Sequence, residues 1–154
     1  MTPARETAPP SRRRRSQLPD DACPTCGTIM KPRVATLRHV VNGERMVVPH
    51  IAHLHCGKCG EDLLDLDAVD QLLDGARAAY RVRHGLLPGA DIRALRDQLG
   101  LTQDELAALL HLGPNMVARW EVGRKVQSAA TDLLLRLLRD LPGTLAYLRC
   151  RATS

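Results

Sequence analysis

Two cysteine pairs constrain this chain more than any other feature. The first pair lies in CPTC, residues 23–26, and the second in CGKC, residues 56–59, with 29 residues between them. A CxxC turn aims two sulfur atoms at one point, and four thiolates at about 2.3 Å complete the tetrahedral shell of a zinc ion. The spacing therefore predicts one structural zinc per chain, with four ligands: Cys23, Cys26, Cys56 and Cys59.

Disulfides and a redox-active CxxC are the alternatives to zinc. A redox motif needs only one pair and a βαβ setting, which this sequence does not have. Zinc also supplies stability that a short segment cannot obtain otherwise, because aromatic residues make up 2% of the chain and Phe is absent. A catalytic zinc needs an open position. No nucleophile–base pair, phosphate loop or carboxylate pair stands out, so we expect no enzymatic activity.

Three histidines and the fifth cysteine of the chain are interpreted as structural and not as metal ligands. His50, His53 and His55 precede the second cysteine pair. Because the cysteine set is complete without them, and alternate strand positions share a face, we interpret these histidines as part of a polar strand face. Cys150 lies outside the two pairs and is predicted to be an ordinary thiol.

Charge and composition narrow the class of protein. A net charge of +5 and a pI near 9.3 permit a polyanionic partner without requiring one. No apolar run approaches the ~18 residues of a membrane helix, and polar residues follow Arg12 to Arg15 where a signal peptide would be apolar. We therefore expect a cytoplasmic protein. Residues 1–20 are rich in Arg, Pro and Ser and are predicted to form a disordered basic arm.

Residues 21–85 are predicted to form an α+β zinc-binding domain. Two segments rich in β-branched residues, Arg33–Val41 and Arg45–Val48, flank Asn42-Gly43, the pair typical of a tight hairpin turn. A further short strand is predicted over Ile51–Leu54. A helix then follows over Asp65–His84, whose apolar stripe recurs at helical spacing: Val69, Leu72, Leu73, Ala76 and Tyr80.

Residues 86–90 are predicted to be a linker, and residues 91–154 an all-helical domain. Asp91 is expected to cap a first helix, and Thr102 to Glu105 form a capping box for the second. A third helix is predicted to begin at Gly113-Pro114, with the proline in its first position. Ser128 is expected to cap a fourth helix, which Pro142 separates from a short last one.

The second and third of these helices have the spacing of a helix-turn-helix, in which the second helix enters the major groove. Asn115 and Arg119 lie four residues apart, and both residue types read bases by bidentate hydrogen bonds. Gln103 is placed for a phosphate contact, and Arg124 and Lys125 are predicted to contact phosphates after the recognition helix. Val117 and Trp120 fall on other faces, and we expect them to pack in the core.

The residues around these motifs resemble known families. Ile92 to Leu138, with LTQDELAALL and NMVARWEVG, resembles the Xre/Cro-type helix-turn-helix family, and Cys23 to Leu148 resembles an MqsA-type antitoxin. That resemblance implies a structural zinc, an N-terminal domain that binds a ribonuclease toxin, and a C-terminal domain that dimerises and represses the operon. The recognition-helix Asn and Arg of the family match Asn115 and Arg119.

The sequence therefore predicts a dimeric antitoxin that binds double-stranded DNA at a palindromic operator. A stripe through the last helices supports dimerisation: Leu134, Leu138, Leu141, Leu145 and Leu148. The leading alternative is a stand-alone zinc-containing helix-turn-helix regulator without a toxin. A third possibility is an adaptor that binds another protein through its zinc domain.

Overall fold

The structure, a computed structural model, describes residues 19–152. Residues 1–18, which include most of the predicted basic arm, lie outside this range. The elements are β1 (Lys31–Val41), β2 (Glu44–His55), β3 (Asp62–Leu63), α1 (Leu66–His84), α2 (Gly89–Gln98), α3 (Gln103–Leu109), α4 (Met116–Glu121), α5 (Ala129–Asp140) and α6 (Thr144–Ala152). The fold class is confirmed: an antiparallel sheet with one helix precedes a helical domain. Within the described range, no helix has the length and apolar character needed to cross a membrane.

The hairpin forms at the predicted turn. Asn42 and Gly43 have φ values of 49° and 85°, the left-handed conformation that a two-residue hairpin turn requires. The strands pair in antiparallel register from Val41 opposite Glu44 to Lys31 opposite His55. Ile51–Leu54 form strand as predicted, but they continue β2 beyond an irregularity in its pairing instead of forming a separate strand.

That irregularity is a β-bulge centred on Pro49 and His50. Ala35 pairs with Ile51 and Leu37 with Val48, so β2 has one more residue than β1 between these pairs. His50 takes up the extra residue with a φ of 60°. The bulge shifts the alternation of β2, so that the buried positions change from even to odd numbers: Met46 and Val48 before it, Ile51 and His53 after it.

Helix α1 covers one face of the hairpin. Asp65 caps it by accepting a hydrogen bond from the Ala68 N–H at 2.8 Å, and Gly85 ends it in the left-handed conformation. Gly75 permits a close approach, because a Cβ there would lie 2.6 Å from Cγ1 of Val48. Of the predicted stripe, Leu72, Ala76 and Tyr80 pack against the sheet. Val69 does not, since 36% of it is exposed.

The helical domain confirms the capping box and the Ser128 cap, but two helices begin elsewhere than predicted. Helix α2 starts at Gly89 with Pro88 as its N-cap, because the Pro88 carbonyl already accepts from the Asp91 N–H. Helix α4 starts at Met116 rather than at Pro114. Asn115 has a φ of 59°, which no α-helical residue can adopt, so the proline lies in the preceding turn.

The core of the helical domain contains the single Trp of the chain. Trp120 and Val117 are buried, as predicted, and Leu106 and Leu135 pack in the same cluster. Leu87, from the predicted linker, is also buried there, and Gly89 packs tightly against the backbone of Trp120. The division of the chain at residues 86–90 stays a prediction, although these residues pack against the helical domain.

Two buried carboxylates connect elements of the helical domain. Glu121 accepts from Arg96 Nε at 2.6 Å and from Gln103 Nε2 at 2.7 Å, which joins α4 to α2 and α3. Asp132 accepts from the Leu87 N–H at 2.7 Å and from Arg136 Nε at 2.7 Å. Burial alone would raise the pKa of Asp132, but its hydrogen bonds outweigh burial and hold that pKa below its ordinary value.

Replacing Asp132 with Ala should lower the free energy of unfolding by about 3 kcal/mol, because the Leu87 N–H and Arg136 lose a buried acceptor. Because the folded pKa is lowered, the stabilisation is complete above the unfolded pKa of about 4 and is lost as the pH falls through the folded pKa. Urea unfolding at neutral pH and at about pH 3 measures both effects.

Asp140→Ala is the matched control for this prediction. Asp140 lies on the same helix but is exposed and pairs with Arg139, so its loss should cost much less than the loss of Asp132. Equal losses for the two variants at neutral pH would contradict the role assigned to Asp132.

Candidate zinc and DNA-binding sites

The four cysteines of the two CxxC pairs come together at the end of the hairpin. Their sulfur atoms all lie within 4.8 Å of one another. Sγ of Cys23 lies 3.4 Å from that of Cys59, and Sγ of Cys26 lies 3.5 Å from that of Cys56. A tetrahedron of thiolates around zinc has sulfur atoms about 3.8 Å apart, so a zinc ion fits with a shift of a few tenths of an ångström.

Each cysteine pair lies in a tight turn, which is closed by a backbone hydrogen bond between residues four apart. The Gly27 N–H donates to the Cys23 carbonyl and the Gly60 N–H to the Cys56 carbonyl, each at 2.9 Å. Both glycines have positive φ, which the turn requires directly after the second cysteine. The two strands of the hairpin carry the chain away from the first turn and return it to the second, which brings the pairs together.

The surroundings of the sulfur atoms favour thiolates at two of the four positions. Hydrogen bonding with the hydroxyl and backbone of Thr28 lowers the pKa of Cys26 to about 6. The backbone N–H groups of Cys59 and Lys58 lower the pKa of Cys56. At Cys59 the Glu61 N–H acts in the same direction, but the neighbouring sulfurs outweigh it and raise the pKa to about 12. Zinc supplies the positive charge that lets all four sulfurs ionise together.

The histidines near this site do not share one polar face. His50 is exposed in the bulge, whereas the side chain of His53 is completely buried. The polar-face interpretation is therefore wrong for His53, because the bulge at Pro49 turns it toward the covered side of the sheet. Sequence analysis missed His53 and its neighbour Asp62, and the signal that could have found them is a proline within a strand.

The helix-turn-helix consists of α3, a turn and α4. Burial of Val117 and Trp120 fixes the inner side of α4, and Asn115 and Arg119 are both exposed. The Arg119 N–H donates to the Asn115 carbonyl at 3.0 Å, so the two residues lie one helical turn apart. The two predicted base-reading residues are thus both exposed, Asn115 as the N-cap of α4 and Arg119 in its last turn.

The other three predicted DNA contacts have different surroundings. Arg124 and Lys125 are exposed after α4 and, with Arg119, line a cleft of about 540 Å³. Gln103 is half-buried, and its side-chain amide donates a hydrogen bond to Glu121. Its predicted phosphate contact would therefore use its backbone N–H or the second hydrogen of the amide. All five residues remain predictions as DNA contacts.

Helix α1 of the zinc domain forms the other wall of that cleft. Asp70 and Asp74 face it, and Nη2 of the buried Arg81 donates to the Lys125 carbonyl at 2.6 Å. This hydrogen bond attaches the loop after α4 to the zinc domain. Acidic side chains therefore border the cations that are predicted to contact DNA.

Comparison with known proteins gives one family match. Residues 21–149 match a family model described as the antitoxin component of a bacterial toxin-antitoxin system, MqsA. The match covers both the cysteine cluster and the helix-turn-helix. No curated protein matches the chain.

We expect one tightly held zinc per chain by elemental analysis, and none after Cys26→Ser, because three thiolates leave the tetrahedral shell open. Strong chelator should abolish the circular dichroism of the sheet. Trp120 reports on the helical domain alone, since it is the one Trp of the chain and lies in that core. Its fluorescence should be unchanged by the chelator.

Cys150→Ser is the control variant and should keep its zinc, since Cys150 is outside the cluster. Purified protein without metal would contradict the site. A simultaneous loss of the sheet signal and of the native Trp120 fluorescence would contradict the division into residues 21–85 and 91–154.

Proposed function

The chain belongs to the MqsA antitoxin family, and on that premise we propose that it binds a ribonuclease toxin through its zinc domain and represses its own operon. The observation that carries the DNA-binding part is the exposure of Asn115 and Arg119, at the N-cap and in the last turn of α4, while Val117 and Trp120 of the same helix are buried. The proposal places the protein in the cytoplasm and assigns it no catalytic step.

In this proposal each exposed side chain has a distinct role on DNA. Arg119 donates two hydrogen bonds to a guanine, and the amide of Asn115 reads a second base, an adenine. Arg124, Lys125 and the start of α3 at Gln103 contact phosphates, which orient α4 in the major groove without adding sequence preference.

Dimerisation would let two copies of α4 read a palindrome. The predicted leucine stripe divides in the structure: Leu138, Leu145 and Leu148 pack in the core of the same chain, whereas Leu134 and Leu141 are exposed. With Leu133 and Tyr147 they are the exposed large apolar residues of α5, α6 and the turn between them. We infer that these four residues, rather than the whole stripe, form the contact between two copies.

The outer face of the hairpin is the surface that we propose for the toxin. Helix α1 covers the other face, and three exposed valines lie on the outer one: Val34, Val40 and Val47. Arg38 and Arg45 lie opposite Val47 and Val40 in the register of the two strands, so the surface combines apolar and basic side chains. An exposed apolar patch bordered by charged side chains is typical of a surface that binds another protein.

Arg119→Ala should weaken binding to the operator by about 1–3 kcal/mol and relax the preference at one base pair, since a bidentate contact is lost. Arg124→Gln and Lys125→Gln should weaken binding to all sequences and lower the salt slope by about one unit each. Gel-shift titrations on operator and scrambled duplexes at two salt concentrations measure these effects, with two chains expected per palindrome.

Matched variants separate charge from base reading. Arg119→Lys keeps the charge but not the planar donor, and Asn115→Gly removes the amide while accepting the φ of 59°. Lys31→Gln is the control for net charge, because it lies at the far end of β1, about 33 Å from the hairpin turn. If Arg119→Ala weakened both duplexes equally and Arg119→Lys restored both, Arg119 would be a phosphate contact.

Val47→Lys should reduce binding of the ribonuclease encoded beside this gene by at least about tenfold, because it places a charge in the proposed apolar contact. Val82→Lys is the matched control, since Val82 is 83% exposed on α1, outside the hairpin. Co-purification and calorimetry with the neighbouring gene product measure the difference. A neighbouring gene that encodes no such protein would favour the stand-alone regulator, and equal binding by both variants would exclude this face.

A further inference from the structure

His53, His55 and Asp62 form a second cluster of metal-ligating groups next to the cysteine site. The two histidines lie two residues apart on β2, so they share a face, and Asp62 on β3 pairs directly with His55. One ligand atom from each residue lies within 4.8 Å of the others. The β-bulge creates this arrangement by turning both histidines toward the covered side of the sheet.

The hydrogen bonds of His53 leave one ring nitrogen with a lone pair. Nδ1 lies 3.0 Å from the Ile51 carbonyl, and because a carbonyl can only accept, Nδ1 carries the hydrogen. In neutral imidazole, Nε2 is then an acceptor. It is buried, has no hydrogen-bond partner and lies 3.3 Å from Oδ1 of Asp62. Two acceptors at this distance repel each other unless a positive charge lies between them.

We propose that His53, His55 and Asp62 bind a first-row divalent transition-metal ion, separate from the zinc of the four cysteines. Two imidazoles and one carboxylate are ligands that zinc and nickel accept, and three protein ligands leave at least one position for water. The Nδ1–H of His53 bonded to Ile51 is the usual arrangement that orients a ligating histidine.

The distances in the cluster fit such an ion after a small shift. Ligand atoms at about 2.1 Å from a metal lie about 3.0–3.4 Å from one another. The 3.3 Å between His53 and Asp62 meets this, whereas the 2.6 Å between Nδ1 of His55 and Oδ1 of Asp62 must open by about half an ångström. Binding replaces the hydrogen between these two atoms, and that proton passes to water. Asp62 and His55 are partly exposed, which provides the entry path.

Two basic residues of β1 act against the ion, and the first of them, Lys31, lies opposite His55 in the strand register. The hydrogen bond with His55 is the main cause of the lowered pKa of Asp62, and the positive charge of Arg33, which lies opposite His53 in the register of β1 and β2, adds to it. A cation in this place lowers the affinity for a second cation. The site should therefore be weaker than the four-thiolate site and should empty on dialysis against a weak chelator.

Calorimetric titration of untagged, full-length protein that holds one zinc tests the proposal, with Zn²⁺ as the probe. A second equivalent is expected, with affinity reduced at least about tenfold by Asp62→Asn and increased by Arg33→Gln. His39→Gln, a histidine of β1 outside the cluster, should not change the second equivalent. Circular dichroism of each variant establishes that the hairpin is intact.

Imidazole ¹⁵N spectra give a second readout that does not depend on a variant. The Nε2 resonance of His53 should shift on addition of Zn²⁺, and that of His39 should not. Absence of a second equivalent, unchanged affinity in Asp62→Asn, or an Nε2 of His53 that carries a hydrogen before and after addition would overturn the proposal. These readouts involve neither DNA nor a toxin, so the result is independent of the proposed function.

Discussion

A shortage of aromatic side chains is the constraint on which the rest of this structure depends. The chain has no Phe and one Trp, and aliphatic side chains fill most of both cores. Small cores bury too little apolar area to be stable alone. Polar connections therefore supply what packing does not. The four cysteines join the ends of the hairpin, Glu121 joins α4 to α2 and α3, and Asp132 joins α5 to the backbone at Leu87.

The placement of those connections explains why the functional surfaces lie where they do. Glu121, at the end of α4, is held by Arg96 of α2 and Gln103 of α3, so the helix that carries Arg119 has a defined orientation. Preorganisation of this kind lowers the entropic cost of binding. At the other end of the molecule, the zinc site closes the hairpin and leaves its outer face uncovered.

Hydrogen bonds attach helix α1 of the zinc domain to the helical domain. Arg81 of α1 donates to the backbone at Lys125, and Arg136 of α5 donates to the Gly85 carbonyl at 2.7 Å. Burial lowers the pKa of Arg81, which is the electrostatic cost of placing a guanidinium at this junction. Because the residues after α4 are attached to α1, a partner on the zinc domain and DNA on α4 would act on connected surfaces.

The sequence by itself determined the features that depend on local chemistry. The four cysteine ligands, the Asn42-Gly43 turn, the capping box at Thr102 and the family were all readable, because turns, caps and CxxC pairs need particular residues at short spacing. Helix starts were less readable, since Asn115 adopts a left-handed conformation that nothing at that position required. Only the tertiary structure decided which strand face His53 occupies, because one extra residue at Pro49-His50 reverses the alternation beyond it. It also decided which leucines of the last helices are buried, since periodicity identifies a stripe but not the surface that covers it.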